Sequence, residues 1–303
     1  MILALRAALP VAVLLLLPAV AWFEPDGEVP EVSAPLNERK ADATTVAHVT
    51  TRIEPAAPNS AAKIAAAVPL DRDGIAALLA SNPEAVVRMG AERYRREVRD
   101  YRCRFSKQEL LDSGMTAVQE IDVLYREKPL SVYMTWVQNE DKAKRALFID
   151  HPAFRDAAGE RLARVEPAGA VLRLFVSDVM TPIRGPQARA SSRRAIDEFG
   201  FRAIFELFER YNRMAEKDGV LKLAYGGTGS VGGRPTYIIV RQLPERNDDA
   251  FPDALLKMHL DQEWLLPTGV YSYSDLAGRK LLGSYVITNV VLNAGLTDAA
   301  FKF

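Results

Sequence analysis

The sequence predicts an α+β domain made mainly of antiparallel strands. Three observations carry this expectation. The stretch Leu255 to Phe303 reads as a three-stranded meander. Between Asp100 and Gln242, further alternating runs are separated by turn residues. Only one long interior segment, roughly Asp197 to Lys217, has helical periodicity.

The chain has 303 residues, with 39 basic and 39 acidic side chains and hence no net charge. That offers no basic face for nucleic acid, and no nucleic-acid partner is expected. A single cysteine, Cys103, excludes an internal disulfide framework and a multi-cysteine metal site.

Residues 1–21 read as an export signal. Arg6 is the only charge before Glu24, Ala7 to Val20 is apolar, and Ala19-Val20-Ala21 fits the small-x-small rule for cleavage after Ala21. The alternative is an uncleaved anchor, but the charge-free stretch of about 17 residues is short for a bilayer and contains Pro10 and Pro18. No cysteine stands beside the cut, which argues against lipid modification there. The expected location is periplasmic or otherwise extracytoplasmic. Residues 22–70 are rich in Pro, Ala, Thr and Ser without apolar period, and read as a disordered linker.

A single domain is expected over residues 71–303. Ile75, Leu78 and Leu79 have helical spacing, and Pro83 suits the first turn of a second helix carrying Val87, Ala91, Tyr94 and Val98 on one stripe. Strands are expected at Asp100–Leu111 and Thr116–Arg126, joined by a turn at Asp112–Met115. Leu130, Val132, Met134 and Trp136 share one face of a third strand, and Lys144–Ile149 is a fourth. Glu160–Glu166 and Val171–Val176 read as a hairpin, and Ser177–Arg194 as a loop. Asp197 is the expected N-cap of the long helix. That helix carries two apolar stripes, Phe199-Ala203-Leu207-Tyr211 and Phe201-Ile204-Phe205-Phe208. One stripe suffices on an ordinary surface, so the second is packed by the chain or meets a ligand. Val220–Tyr225 and Arg234–Gln242 are strands around the glycine-rich run Gly226–Gly233. That run lacks the Gly-Lys-Ser/Thr and following helix of a phosphate loop. In the terminal meander, Leu256, Met258 and Leu260 alternate with Lys257, His259 and Asp261, which are expected on the wet face.

Several of these passages, in their order along the chain, resemble a known family. They are Val98-Arg99-Asp100-Tyr101 leading to Lys107-Gln108-Glu109; Arg126-Glu127-Lys128-Pro129 followed by Val132-Tyr133-Met134-Thr135-Trp136; Gly233-Arg234-Pro235-Thr236-Tyr237; and the final ladder from Leu260-Asp261 through Tyr285 to Asn289. From Ala85 to Phe301 the chain is similar to the exported bacterial family of domain of unknown function 1571, and to periplasmic lipoprotein carriers of the LolA/LolB/LppX type. The resemblance implies a strongly bent open sheet, a half-barrel, with helices in its mouth and an apolar cavity that holds acyl chains in that superfamily. The linker departs from the carriers, which begin almost at their first helix.

Catalytic constellations do not emerge. His151 adjoins Pro152, His259 lies on a wet strand face, and neither has partners at ligand spacing, so neither a metal nor a cofactor is expected. No Gly-x-Ser-x-Gly elbow occurs. Cys103 lies between Arg102 and Arg104 but shares a face with Tyr101 and Phe105, which points to a buried structural thiol. The expected function is a non-enzymatic carrier or sensor of lipid or lipoprotein acyl chains, with peripheral membrane contact. Its cavity and lid residues would be Val132, Met134, Trp136, Phe201, Ile204, Phe205 and Phe208. The alternative is an envelope protein-binding or scaffolding module whose core is filled by its own side chains. An enzyme would need a cleft with paired carboxylates. A cavity of roughly 300 Å³ or more separates the first two readings.

Overall fold

The computed structural model describes residues 72–169, 177–245 and 251–303. The expected signal, the linker and the strand at 171–176 lie outside the described residues.

Two helices open the described chain: α1 (Arg72–Ser81) and α2 (Pro83–Glu97). Asn82 caps α2, its side chain accepting from Ala85 N–H at 3.1 Å, and Pro83 fills the first position. The strands follow: β1 (Asp100–Leu111), β2 (Gly114–Met115), β3 (Gln119–Arg126), β4 (Ser131–Gln138), β5 (Ala143–Ile149), β6 (Leu162–Pro167) and β7 (Val179–Pro182). A one-turn helix α3 (Pro186–Arg189) and the long α4 (Phe201–Lys217) interrupt them. Then come β8 (Lys222–Val231), β9 (Arg234–Gln242), β10 (Leu255–Asp261), β11 (Pro267–Tyr273) and β12 (Leu281–Leu292).

Among the described residues the twelve strands form one antiparallel sheet, ordered β7-β6-β5-β4-β3-β1-β12-β11-β10-β9-β8, with β2 paired to β1. The terminal meander is thus a contiguous block, and β12 joins it to β1 through pairs from Tyr101–Leu292 to Glu109–Gly283. The sheet is open, because β7 and β8 at its two ends do not pair with each other. It is not strongly curled, which corrects the half-barrel expectation. Here α4 and the segment leading into it lie across the sheet, so the edges need not swing round to cover its inner face.

Three local expectations are also corrected. The stretch read as a loop from Ser177 contains β7 and α3, and β7 pairs with β6. Most of the glycine run belongs to β8, with the reversal made by Gly232 and Gly233, both at positive φ. The wet-face reading fails for Asp261, which is buried because its carboxylate takes Arg234 and the N–H groups of Glu263 and Trp264. His259 is half-buried, bonded to Thr236 at 3.0 Å and edge-on to Tyr271.

Asp197 does not cap α4. Its carboxylate is held by Arg161 and Arg184, each at 2.9 Å. The N-cap is Gly200, at φ 104°, and a Cβ there would collide with the Tyr101 hydroxyl. That hydroxyl instead accepts from the Phe201 N–H at 3.4 Å.

An aromatic hub fixes this junction. Tyr101 stacks on Tyr125 with ring centroids 4.6 Å apart, and Phe201 wedges against Tyr101 at 4.9 Å and Tyr94 at 6.1 Å. Glu127 accepts from the Tyr94 hydroxyl and from Tyr125 at 3.0 Å, and pairs with Arg202 at 3.1 Å. One carboxylate thereby ties α2, β3 and α4 together.

Burial, the largest influence in each case, raises the phenols of Tyr94, Tyr101 and Tyr125 and the Cys103 thiol above their ordinary 10.0 and 9.0. The folded chain therefore keeps protons that the unfolded chain loses from about pH 9 upward. With more protons bound in the fold, stability falls as pH rises. Urea unfolding should give a constant midpoint from pH 7 to about 8.5 and a steadily lower one above about pH 9.5. A midpoint that holds to pH 11 would show that these groups titrate normally.

Candidate functional site in the space beneath helix α4

The inner face of the sheet is set by strand alternation. In β1 the odd positions Tyr101, Cys103 and Phe105 point inward, and the same parity carries Lys107 and Glu109 inward too. In β9 the inward parity is Tyr237, Ile239 and Arg241. Cross-strand register places Glu109, Gly283, Ser272, Leu256 and Arg241 in a single row.

Over this face lies α4, whose two stripes do different things. Phe201 and Phe205, one turn apart, turn toward α2 and pack on Tyr94. Gly90 permits the approach, since a Cβ there would lie 3.3 Å from Phe205 Cζ and would collide with the Leu265 carbonyl. The neighbouring stripe, Ile204, Leu207, Phe208 and Tyr211, follows the i, i+3, i+4, i+7 spacing of one helix face and looks toward the sheet.

Between that stripe and the sheet is a cavity of about 730 Å³. Its floor includes Phe105, Ile121, Met134, Trp136, Met258 and Ile287. On β5 and β6 the wall includes three small side chains, Ala143, Ala146 and Ala163, beside Val165 and Pro167, and the alanines leave room that larger residues would fill. Of the residues expected from the sequence, Met134, Trp136, Ile204 and Phe208 line this space. Val132, Phe201 and Phe205 do not. Val132 is fully buried in the ladder between Tyr125 and Phe148, and the two phenylalanines are taken up by the contact with α2. The stripe Phe201-Ile204-Phe205-Phe208 is therefore split: Phe201 and Phe205 anchor the helix to α2, while Ile204 and Phe208 join Leu207 and Tyr211 at the cavity.

The cavity wall also contains two buried ion pairs. Lys107 Nζ lies 3.1 Å from Glu109 Oε2, an ion-pair contact without hydrogen-bond alignment, and donates to Ser192 Oγ at 3.2 Å. The other Glu109 oxygen accepts from Tyr285 at 2.9 Å and from the Arg193 N–H at 3.3 Å. Burial, then Glu109, push the Tyr285 phenol up, while Arg193 and Arg194 pull it the other way. Across the row, Arg241 grips Asp253 at 3.0 and 3.2 Å, reaches Asn212 at 3.4 Å and lies over the rings of Phe208 and Tyr211. By residue type Glu109, like Glu120 and Asp122, reads as a solvated strand carboxylate, and Lys107 and Arg241 carry no local signal; strand parity is what places Lys107, Glu109 and Arg241 inward.

The arrangement does not resemble a hydrolytic pair. Glu109 and the Arg241–Asp253 pair are four strand spacings apart, roughly 19 Å, against the roughly 5–9.5 Å of cooperating carboxylates. Cys103 is buried, and burial raises its thiol, so it is not poised as a thiolate. His151 caps a short turn by accepting from Ala153 N–H at 3.2 Å. Among the described residues, no group of three or more His, Cys, Asp or Glu is placed to hold a metal ion, and no helix is long and apolar enough to cross a membrane.

Fold and site together define an α+β protein with an open antiparallel sheet and a largely apolar cavity that opens to solvent. The chain belongs to the family described as protein of unknown function DUF1571, whose model matches residues 98–303. No curated protein matches it. Among solved structures it is similar to MucB, at 13% identity and a TM-score of 0.44 over 74% of this chain and 63% of that one. It is similar to the Pseudomonas aeruginosa MucA/MucB complex at 13% identity and a TM-score of 0.41, over 72% and 60%. It is also similar to the Mycobacterium tuberculosis lipoprotein LppX at 15% identity and a TM-score of 0.39, over 71% and 98%. The chain thus spans about three fifths of the length of the two MucB chains.

The division of α4 into an anchoring and a cavity-facing stripe has a measurable consequence. Phe205→Ala removes packed core and should destabilise by about 3–5 kcal/mol. Leu207→Ala removes a side chain with open space on one side and should cost about 1 kcal/mol. Thermal or urea unfolding of the two variants gives the comparison, and equal losses would mean that both stripes are ordinary core.

Proposed function

We propose that this protein is a non-enzymatic component of the cell envelope that binds lipid or lipoprotein acyl chains. The observation that carries the reading is the cavity of about 730 Å³ between the sheet and Ile204, Leu207, Phe208 and Tyr211 of α4. It falls within the roughly 300–1,000 Å³ range of ligand sites. It exceeds what a self-filled core would leave, since packed interiors have few voids larger than a water molecule. Its wall combines aliphatic and aromatic side chains from both halves of the sheet, among them Met134, Trp136, Leu256 and Ile287. Each methylene buried there would contribute about 0.8 kcal/mol, so a long chain is favoured over a small solute.

The export reading of residues 1–21 supports an extracytoplasmic setting, and the linker reading of residues 22–70 supports a tethered or freely hanging domain over residues 71–303. In this reading, exposed Leu110, Met115, Val118 and Val137, near the strand ends where Lys107 and Trp136 enter the cavity, provide the peripheral membrane contact. The charged groups of the wall serve structure: each carboxylate in the two buried pairs neutralises a cation that would otherwise be stranded in an apolar space.

A polyene fatty acid whose fluorescence rises in apolar surroundings tests the proposal. The full chain should bind it saturably, about one per protein. Ala146→Phe, which places a ring in the space beside Met134, should weaken binding at least about tenfold, or ~1.4 kcal/mol. Absence of saturable binding by the folded wild type would leave the protein-binding scaffold as the better reading.

A further inference from the structure

We infer that the bound molecule is an amphiphile with an anionic head, held by the guanidinium groups of Arg193 and Arg194 while its chain occupies the cavity. This rests on the acyl-chain reading above and adds the head-group chemistry to it.

The argument begins with where the charges go. Both arginines line the cavity, Arg193 exposed and Arg194 half-buried, so they stand where it meets solvent. Every carboxylate close to them on their own segment is already taken. Asp197 is bound by Arg161 and Arg184 at 2.9 Å each. Glu198 faces Arg184 at 3.4 Å and accepts from the Ala195 N–H at 3.2 Å. Glu109, the carboxylate beneath them, is neutralised by Lys107 and receives Tyr285, Ser192 and the Arg193 backbone N–H. That contact fixes the backbone at Arg193 while leaving both guanidinium groups without an ion-pair partner among the described residues. On the far side, Arg241 is paired with Asp253, and the other charged residues of the lining without an ion pair among the described residues, Asp141 and Lys142, are adjacent and of opposite sign, so Arg193 and Arg194 carry the lining's net positive charge.

The neighbourhood suits a head group. Gln187 supplies a neutral amide beside the arginines, the hydroxyls of Ser191 and Ser192 being committed to the Gln187 carbonyl and to Glu109, and the apolar wall begins at Ile196 and Phe199 on the same segment. A guanidinium presents a planar fork of N–H donors that fits a carboxylate or phosphate in two parallel bonds. Two adjacent forks at the edge of an apolar space match an anion joined to a hydrocarbon chain. A neutral glyceride or sterol would leave them unused.

The test compares a polyene fatty acid with its methyl ester, at a pH well above the carboxylate range, on the wild type, Arg193→Gln/Arg194→Gln and Arg193→Lys/Arg194→Lys. The wild type should prefer the acid by at least about tenfold. That preference should shrink with added salt, fall below about threefold in the glutamine variant and largely persist in the lysine variant. Circular dichroism and thermal melting establish that the variants are folded. Equal affinity of the wild type for acid and ester would overturn the inference while leaving the acyl-chain reading intact, and binding of neither would overturn both. Retained preference in the folded glutamine variant would place the head elsewhere. If inorganic phosphate bound the wild type without a chain as tightly as the acid does, the arginines would form a free-anion site and the inference would fail.

Discussion

The packing of Phe201 and Phe205 against α2 is the constraint on which the rest of the structure depends. Those two rings meet Tyr94, and Phe201 also meets Tyr101, so the first two turns of α4 are pinned to a helix and to the end of β1 at once. Glu127 locks the same corner through Tyr94, Tyr125 and Arg202. With these two rings committed sideways, the helix cannot roll to bring Phe201 and Phe205 down onto the sheet face. Its other stripe is left looking across a space that the alanines of β5 and β6 do not fill. A cavity in a protein interior forfeits dispersion contacts along its lining, so the anchor must be strong for the space to persist.

The charged residues in the wall fit the same picture. Lys107 and Glu109 are almost wholly removed from water, as are Arg241 and Asp253. Removing one partner from such a pair typically destabilises by about 3–5 kcal/mol, because the other is left buried and uncompensated. Each pair also ties the roof to the floor. Glu109 receives the backbone of the segment before α4, and Arg241 reaches Asn212 within α4. The polar groups thus hold the covering helix at its height over the sheet, while the apolar groups define what fits beneath it.

Much of the fold was legible from local pattern. Strands β1, β9, β10 and β12 fall where alternation and turn residues placed them, because each buries one face and exposes the other. The two stripes of α4 were equally legible, but which way each faces depends on Gly90 and Tyr94, residues far away in sequence. Likewise, the cap of α4 is a glycine backed by a tyrosine from β1, a long-range solution that a local N-cap rule assigns to Asp197. The wall charges were hidden because Lys107, Glu109 and Arg241 read as solvent-facing by residue type. Only parity with Phe105 and Ile239 marks them as inward, and parity was overruled by polarity. The openness of the sheet is a property of its edges and could not be read from any single strand.

The most direct measurement of the central claim is native mass spectrometry of the protein isolated gently from the cells that make it. If the space beneath α4 is a site for acyl chains, the intact protein should carry an added mass that is released by organic solvent as a lipid or lipidated species, in about one copy per chain. A protein that arrives only at the mass of its bare polypeptide, and stays so after incubation with lipids extracted from those cells, would contradict the account.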